Sequence, residues 1–146
     1  MATEQRILGV DYGEKRIGLS VSDPLGIIAT PYGTVKNDSD LWSQMKEIVL
    51  REKIALVVVG LPVTLRGERR SKAAEVELFI ERLESETGLD VLCWDERYST
   101  SIARRTLIDM NTRKKERNAK SGTLDSMAAA IILQGYLDSK KKSLSC

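Results

Sequence analysis

The chain has no histidine. That absence removes the imidazole base of a Ser-His-Asp triad and every zinc site built on histidine. Cysteine is almost as scarce. Cys93 sits in an apolar run and Cys146 is the last residue, so there is no Cys-x-x-Cys pair and no disulfide framework. The two read as thiols of a reducing compartment, and structural zinc is not expected. No apolar stretch approaches the roughly 20 residues that span a bilayer. The opening MATEQRILGVDYG lacks the basic n-region and apolar h-region of a secretory leader. The expected compartment is the cytoplasm, with no membrane association. Excess charge is also missing: the net value is +2, which by itself argues neither for nor against nucleic acid. Any chemistry has to come from carboxylates, hydroxyls, lysines and arginines.

What is present suits one globular domain. The 146 residues are 42% apolar and 30% charged, enough to bury a real core. Neither a repeat nor a linker interrupts them, so the expected domain is 1–146, with a core over about 6–138 and a basic tail over 139–146. Ile7, Leu8 and Val10 form a short apolar run ending at Asp11. Ile17, Leu19 and Val21 then alternate with Gly18, Ser20 and Ser22, the period of a strand, and the intervening Tyr12-Gly13-Glu14-Lys15 reads as a hairpin turn. Asp23-Pro24 and Gly26 mark a second turn before a third strand beginning at Ile27. After an Asn/Asp/Ser cluster suited to capping, Leu41, Met45, Ile48 and Val49 share a helical face. Ile54–Leu61 is a continuous β-branched run of the kind found in strands covered on both faces.

Ala73, Val76, Ile80 and Leu83 define a second helix that stops near Gly88, and Val91–Trp94 reads as another buried strand, with Cys93 and Trp94 in the core. A helix over about Ser101–Met110, a basic loop, and a last helix over Thr123–Leu137 complete the chain. Leu124, Ala128, Ile131 and Ile132 are expected on the buried face of that last helix, and Ala128–Ala130 should let it approach the sheet closely. The pattern is an α/β domain with a mixed sheet of five strands, the first three antiparallel, and parallel crossovers after them.

Most of the 21 acidic residues fall on helix faces or in turns, where solvation explains them. Asp11 ends the first strand, Asp95-Glu96 follows the last apolar strand, and Asp125 lies in the first turn of the last helix. Each has an ordinary structural alternative: a turn, a solvated loop pair, a complement to the helix dipole. Their combination is more informative. Ligands bind beyond the carboxyl ends of parallel strands. If the first and last strands were neighbours, Asp11 and an acid of the Asp95-Glu96 pair would share a cleft that the last helix also reaches. Clustered carboxylates without histidine suit Mg²⁺ or Mn²⁺, and two such ions promote phosphodiester hydrolysis.

Four motifs carry a resemblance. Asp11-Tyr-Gly-Glu-Lys-Arg-Ile-Gly-Leu-Ser, Val59-Gly-Leu-Pro, Asp95-Glu-Arg-Tyr-Ser-Thr and Leu124-Asp-Ser-Met-Ala-Ala-Ala occur in order across about Ile7–Leu137. They resemble the YqgF family, also called RuvX, of Holliday-junction-resolvase-like proteins and pre-16S rRNA nucleases. The resemblance implies a ribonuclease H-like fold with helices on both faces of the sheet. It also implies metal-dependent cleavage of nucleic acid, in 5′-end processing of pre-16S ribosomal RNA, with Asp11, Glu96 and Asp125 as catalytic and metal-binding residues. Asp95 remains a further possible ligand. Structured RNA is the favoured partner and branched DNA the alternative.

Around these acids, Gly13 and Gly18 suit close approach of a phosphate or an ordinary hairpin, and Gly60-Leu61-Pro62 shapes the cleft floor. Lys15, Arg16 and Arg97 are candidate nucleic-acid contacts, while Ser99 and Thr100 read as a helix cap. In the loop 113–120, five of eight residues are basic: Arg113, Lys114, Lys115, Arg117 and Lys120. Such a cluster suits a grip on phosphates or a solvated loop. An actin-like sugar kinase also opens on Asp-x-Gly, but this chain has no room for its second lobe. The competing classes are a Holliday-junction DNA resolvase and a noncatalytic nucleic-acid-binding module. No dimer-forming face is legible.

Overall fold

In β2 (Arg16–Ser22) the apolar residues Ile17, Leu19 and Val21 are buried, and so are the intervening Ser20 and Ser22. Both faces of this strand are therefore covered, and the two coverings differ. A computed structural model describes residues 5–61, 68–95 and 121–144. Within it β1 (Arg6–Asp11), β2, β3 (Ala29–Lys36), β4 (Ile54–Leu61) and β5 (Asp90–Asp95) form one sheet in the order β3-β2-β1-β4-β5. β1 pairs antiparallel with β2 and β2 with β3, while β1–β4 and β4–β5 are parallel. The first and last strands are thus not neighbours, contrary to the simplest expectation. β4, the most apolar segment of the chain, takes the place between them.

One face of the sheet packs Leu8, Val10, Ile17, Leu19, Val57 and Val59 against α1 (Leu41–Arg51) and α2 (Glu68–Thr87), through Met45, Ile48, Phe79 and Leu83. The 3.6-residue spacing of Leu41, Met45, Ile48 and Val49 buries all four, as their periodicity predicts. The capping cluster works differently from the expected side-chain cap. Asp40 is the N-cap and makes no side-chain cap bond, while Asp38 Oδ1 accepts the Asp40 N–H at 3.0 Å. Lys46 Nζ reaches Glu86 Oε1 at 2.9 Å, which ties α1 to α2. The hydrogen bonds from Lys46 and then Arg82 hold the Glu86 carboxyl below its ordinary pKa.

On the other face lies α3 (Ser121–Leu144). Its buried residues are Ser126, Ala129, Ile132, Leu133 and Leu137. The face is therefore rotated from the expected stripe: Ala128 and Ile131 are only half-buried. The floor beneath it combines an apolar cluster, in which Val58 meets Ile132, Leu133 and Leu137, with glycines that admit the helix closely. A Cβ on Gly9 would meet the Leu133 Cβ at 2.7 Å and the Ala129 carbonyl at 2.9 Å, and one on Gly60 would collide with Ile132. Ser20 Oγ donates to the Ala129 carbonyl at 2.8 Å, joining residues 109 apart in sequence. α3 runs on through Lys140–Lys142, so the expected basic tail is mostly a continuation of the helix.

β5 also departs from expectation. It is an edge strand with β4 on one side, so Leu92 is 41% exposed and Cys93 is exposed rather than core. Trp94 is half-buried, edge-on to Tyr136 of α3 with ring centroids 5.8 Å apart. The β2–β3 turn is built on Asp23, whose Oδ1 accepts the N–H groups of Ile27 at 2.7 Å and Ile28 at 2.8 Å, while Gly26 takes the left-handed φ of 70°. The bond from Ile28 is the largest cause of a lowered Asp23 pKa.

Two outcomes follow. Gly18→Ala places a methyl group against the Asp125 main chain, whereas Gly33 has nothing within 4 Å of the corresponding position. The first substitution should cost about 1–3 kcal/mol in urea unfolding, and Gly33→Ala should stay within about 0.5 kcal/mol. For Asp23, the folded-state pKa lies below the unfolded one. Its stabilisation is complete above about pH 4 and is lost as pH falls through the depressed value. The gap in urea midpoint between the parent and Asp23→Asn should be present near pH 7 and narrow steadily as the pH is lowered below about 4.

Candidate nucleic-acid cleavage site

The parallel strands β1, β4 and β5 end together, at Asp11, Leu61 and Asp95, and their register carries one edge across the sheet: Asp11 opposite Gly60, Gly60 opposite Trp94, Leu61 opposite Asp95. β2 runs the other way and begins at this edge with Arg16. Because Leu8 and Val10 bury toward α1 and α2, alternation turns Gly9 and Asp11 to the face that α3 covers. Asp11 is half-buried there.

Directly across from Asp11 on β2 is Gly18. A Cβ on Gly18 would overlap the main-chain carbonyl of Asp125 and approach the Asp125 Cβ at 2.9 Å. α3 begins at Ser121, earlier than expected, so Asp125 lies one turn into the helix and not in its first turn. Its main chain rests on the residue that pairs with Asp11, which brings the two residues to one corner of the sheet. The space left by Gly18 is filled by this helix and not by a ligand, which corrects the expectation of close phosphate approach at that position. Gly13 instead serves the tight turn, since a Cβ there would strike the Arg16 carbonyl.

The turn between β1 and β2 is clamped. Asn37 Nδ2 donates to the Gly13 carbonyl at 3.0 Å, and the Asn37 N–H donates to the Lys15 carbonyl at 2.9 Å. Tyr12 packs on Phe79 with centroids 5.0 Å apart, and Phe79 on Trp42 at 5.4 Å. Asn37 is a positioning residue that sequence reasoning missed, its only signal being that it follows a strand paired to β2. Lys15 is exposed. Arg16 is 45% exposed and places Nε 3.4 Å from Asp125 Oδ2, a pairing not read from the sequence.

Two carboxylates with oxygen donors only, beside a half-buried sheet edge, fit a hard divalent cation. Among the described residues no three Asp, Glu, Cys or His side chains converge. Glu96 lies outside the described residues, as do Arg97, Ser99, Thr100, the helix expected over 101–110, and the basic residues Arg113, Lys114, Lys115, Arg117 and Lys120. Among the described residues no helix is long and apolar enough to cross a membrane.

Two solved structures share this architecture. One is T. thermophilus RuvC in complex with a Holliday junction substrate, with TM-score 0.60, 16% identity, and coverage of 94% of this chain and 96% of that one. The other is the Fowlpox virus resolvase in complex with Holliday junction DNA, with TM-score 0.52, 14% identity, and coverage of 92% and 98%. At such identities the likeness is one of fold, and the domain is ribonuclease H-like, as the resemblance implied.

A narrower match settles the family. The profile described as RuvX: Holliday junction resolvase covers residues 5–139, and the chain belongs to this family. A Sulfurihydrogenibium relative (strain YO3AOP1) is 40% identical over 135 residues, 91% of this chain and 90% of its own length. A Listeria monocytogenes relative (strain CLIP80459) is 40% identical over 137 residues, 91% of this chain and 97% of its own. Clostridioides difficile strain 630 has one 38% identical over 141 residues, 94% and 97%. All three carry the name "Putative pre-16S rRNA nuclease".

Proposed function

We propose that the protein is a metal-dependent nuclease of the cytoplasm that processes the 5′ end of pre-16S ribosomal RNA. The observation that carries this reading is the seating of Asp125 on Gly18, the strand partner of Asp11. It gathers carboxylates from two distant parts of the chain at the end of parallel strands. The names of the relatives supply the substrate.

In this reading Asp11, Asp125 and Glu96 hold Mg²⁺ or Mn²⁺, with Asp95 as a further donor. Bound there, the cations supply Lewis acidity for the attacking water and the leaving oxygen of a phosphodiester. The chain's own part is placement. β1 fixes Asp11 on a rigid strand, and Gly18 fixes the height of Asp125 above it. Lys15 and Arg16 border the site and meet the phosphate backbone. Arg97 and the basic segment Arg113, Lys114, Lys115, Arg117 and Lys120 extend that contact along structured RNA. The single domain spans 1–146. The second reading is cleavage of branched DNA, favoured by the description of the family and by the fold shared with two junction-bound resolvases.

Purified protein assayed on labelled pre-16S RNA and on a four-way DNA junction separates the two. Cleavage of the RNA should require Mg²⁺ or Mn²⁺ and stop with chelator. Asp11→Asn, Glu96→Gln and Asp125→Asn should each lower the rate by about a hundredfold or more while RNA binding persists. Variants that cut as the parent does refute the assignment, and junction cleavage with intact RNA selects the second reading. Neutralising Arg113, Lys114 and Lys115 together should weaken binding across sequences and flatten the log–log salt dependence by about one unit per lost contact. An unchanged slope removes that segment from the RNA path.

A further inference from the structure

The Arg16–Asp125 ion pair has the form of an exchangeable contact. Nε and Oδ2 are 3.4 Å apart, longer than the roughly 2.7–2.9 Å of a tight charge-assisted bond. The guanidinium is 45% exposed and the carboxylate 27%, so the arginine leaves without stranding a buried charge. The two partners are anchored very differently. Asp125 is fixed through its main chain, which lies on Gly18 one turn into α3. Arg16 opens β2 opposite Lys36, and its long side chain is 45% exposed where it meets Asp125. Arg16 and Gly18 are two apart on one strand and so share the face on which Asp125 and Asp11 lie.

From this geometry we propose that Arg16 is the built-in counter-ion of Asp125, occupying the carboxylate when no divalent cation is bound and yielding it when one is. The inference rests on the metal-site reading given above and adds to it a competition within the chain. Arginine suits the role because it stays charged at every working pH. Its presence weakens cation loading by the strength of the pair it makes. It also offsets the charge of Asp125 in the unloaded protein.

Binding of Mn²⁺ to the full chain, read from the electron paramagnetic resonance signal of the free ion, tests this without reference to turnover. Arg16→Gln should bind Mn²⁺ about two- to fivefold more tightly than the parent, the range expected for releasing an exposed pair. Arg16→Lys, which keeps the charge, should return most of that difference. In an Asp125→Asn background Arg16→Gln should produce no further tightening, since the two substitutions remove the same contact. Equal or weaker Mn²⁺ binding by Arg16→Gln, with thermal melting showing it folded, overturns the counter-ion role. So does equal tightening in the Asp125→Asn background, which marks a general charge effect. If Arg16→Gln fails to fold, tighter binding by Arg16→Lys than by the parent decides the same point against the proposal. A parent that binds no Mn²⁺ brings down the metal-site reading and this one together. Parent binding that is lost in Asp11→Asn but indifferent to Arg16 removes this one alone.

Discussion

The close seat of α3 on the sheet is the constraint from which the rest of the structure follows. A helix normally stands about 10 Å from a sheet because side chains fill the gap. Here Gly9, Gly18 and Gly60 remove those side chains, and Ser20 replaces packing with a hydrogen bond to the Ala129 carbonyl. The helix main chain descends onto the strands. A lone apolar contact leaves a helix free to slide, whereas backbone against backbone fixes its height and register. Asp125 is located by that register, because its own main chain is one of the surfaces in contact.

The two faces of the sheet divide the work. Toward α1 and α2 the strands present large branched residues, and the contact is a conventional core that includes the aromatic group Tyr12, Phe79 and Trp42. Toward α3 they present Gly9, Gly18, Ser20 and Gly60 together with Val58, which packs on Ile132, Leu133 and Leu137 in a second, smaller core. The hydrophobic side supplies the stability that lets the other side hold charge: Tyr12, adjacent to Asp11, is rooted in it, and Asn37 closes the same turn from β3. A carboxylate on such a support is held in place by its neighbours in sequence and has little freedom to relax away from a nearby charge.

How far the sequence foretold this depends on which interaction is considered. A short apolar run located β1, period-two alternation β2, the β-branched run β4, and helical periodicity α1 and α2, because each pattern reflects local burial. The alternation also misled. Gly18, Ser20 and Ser22 have the composition of a solvent face, yet Ser20 and Ser22 are buried, since smallness there serves helix approach. β5 has the composition of a central strand but lies at the edge, because strand order is a property of pairing and not of local hydropathy. The carboxylates Asp11 and Asp125 stood out by their position at element ends. Their closeness, and the Arg16 contact with Asp125, are products of long-range packing that no local window encodes. Glu96 and the basic segment fall outside the described residues, so the part of the first rests on the family resemblance and that of the second on its run of charge.

The bond between Ser20 and Ala129 joins stretches of chain made at very different moments of synthesis. While a ribosome is still extending the polypeptide, the early hairpin can form with Asp11 in place, but the helix that completes its corner does not yet exist. That corner of the sheet is consequently completed last, on a scaffold begun first.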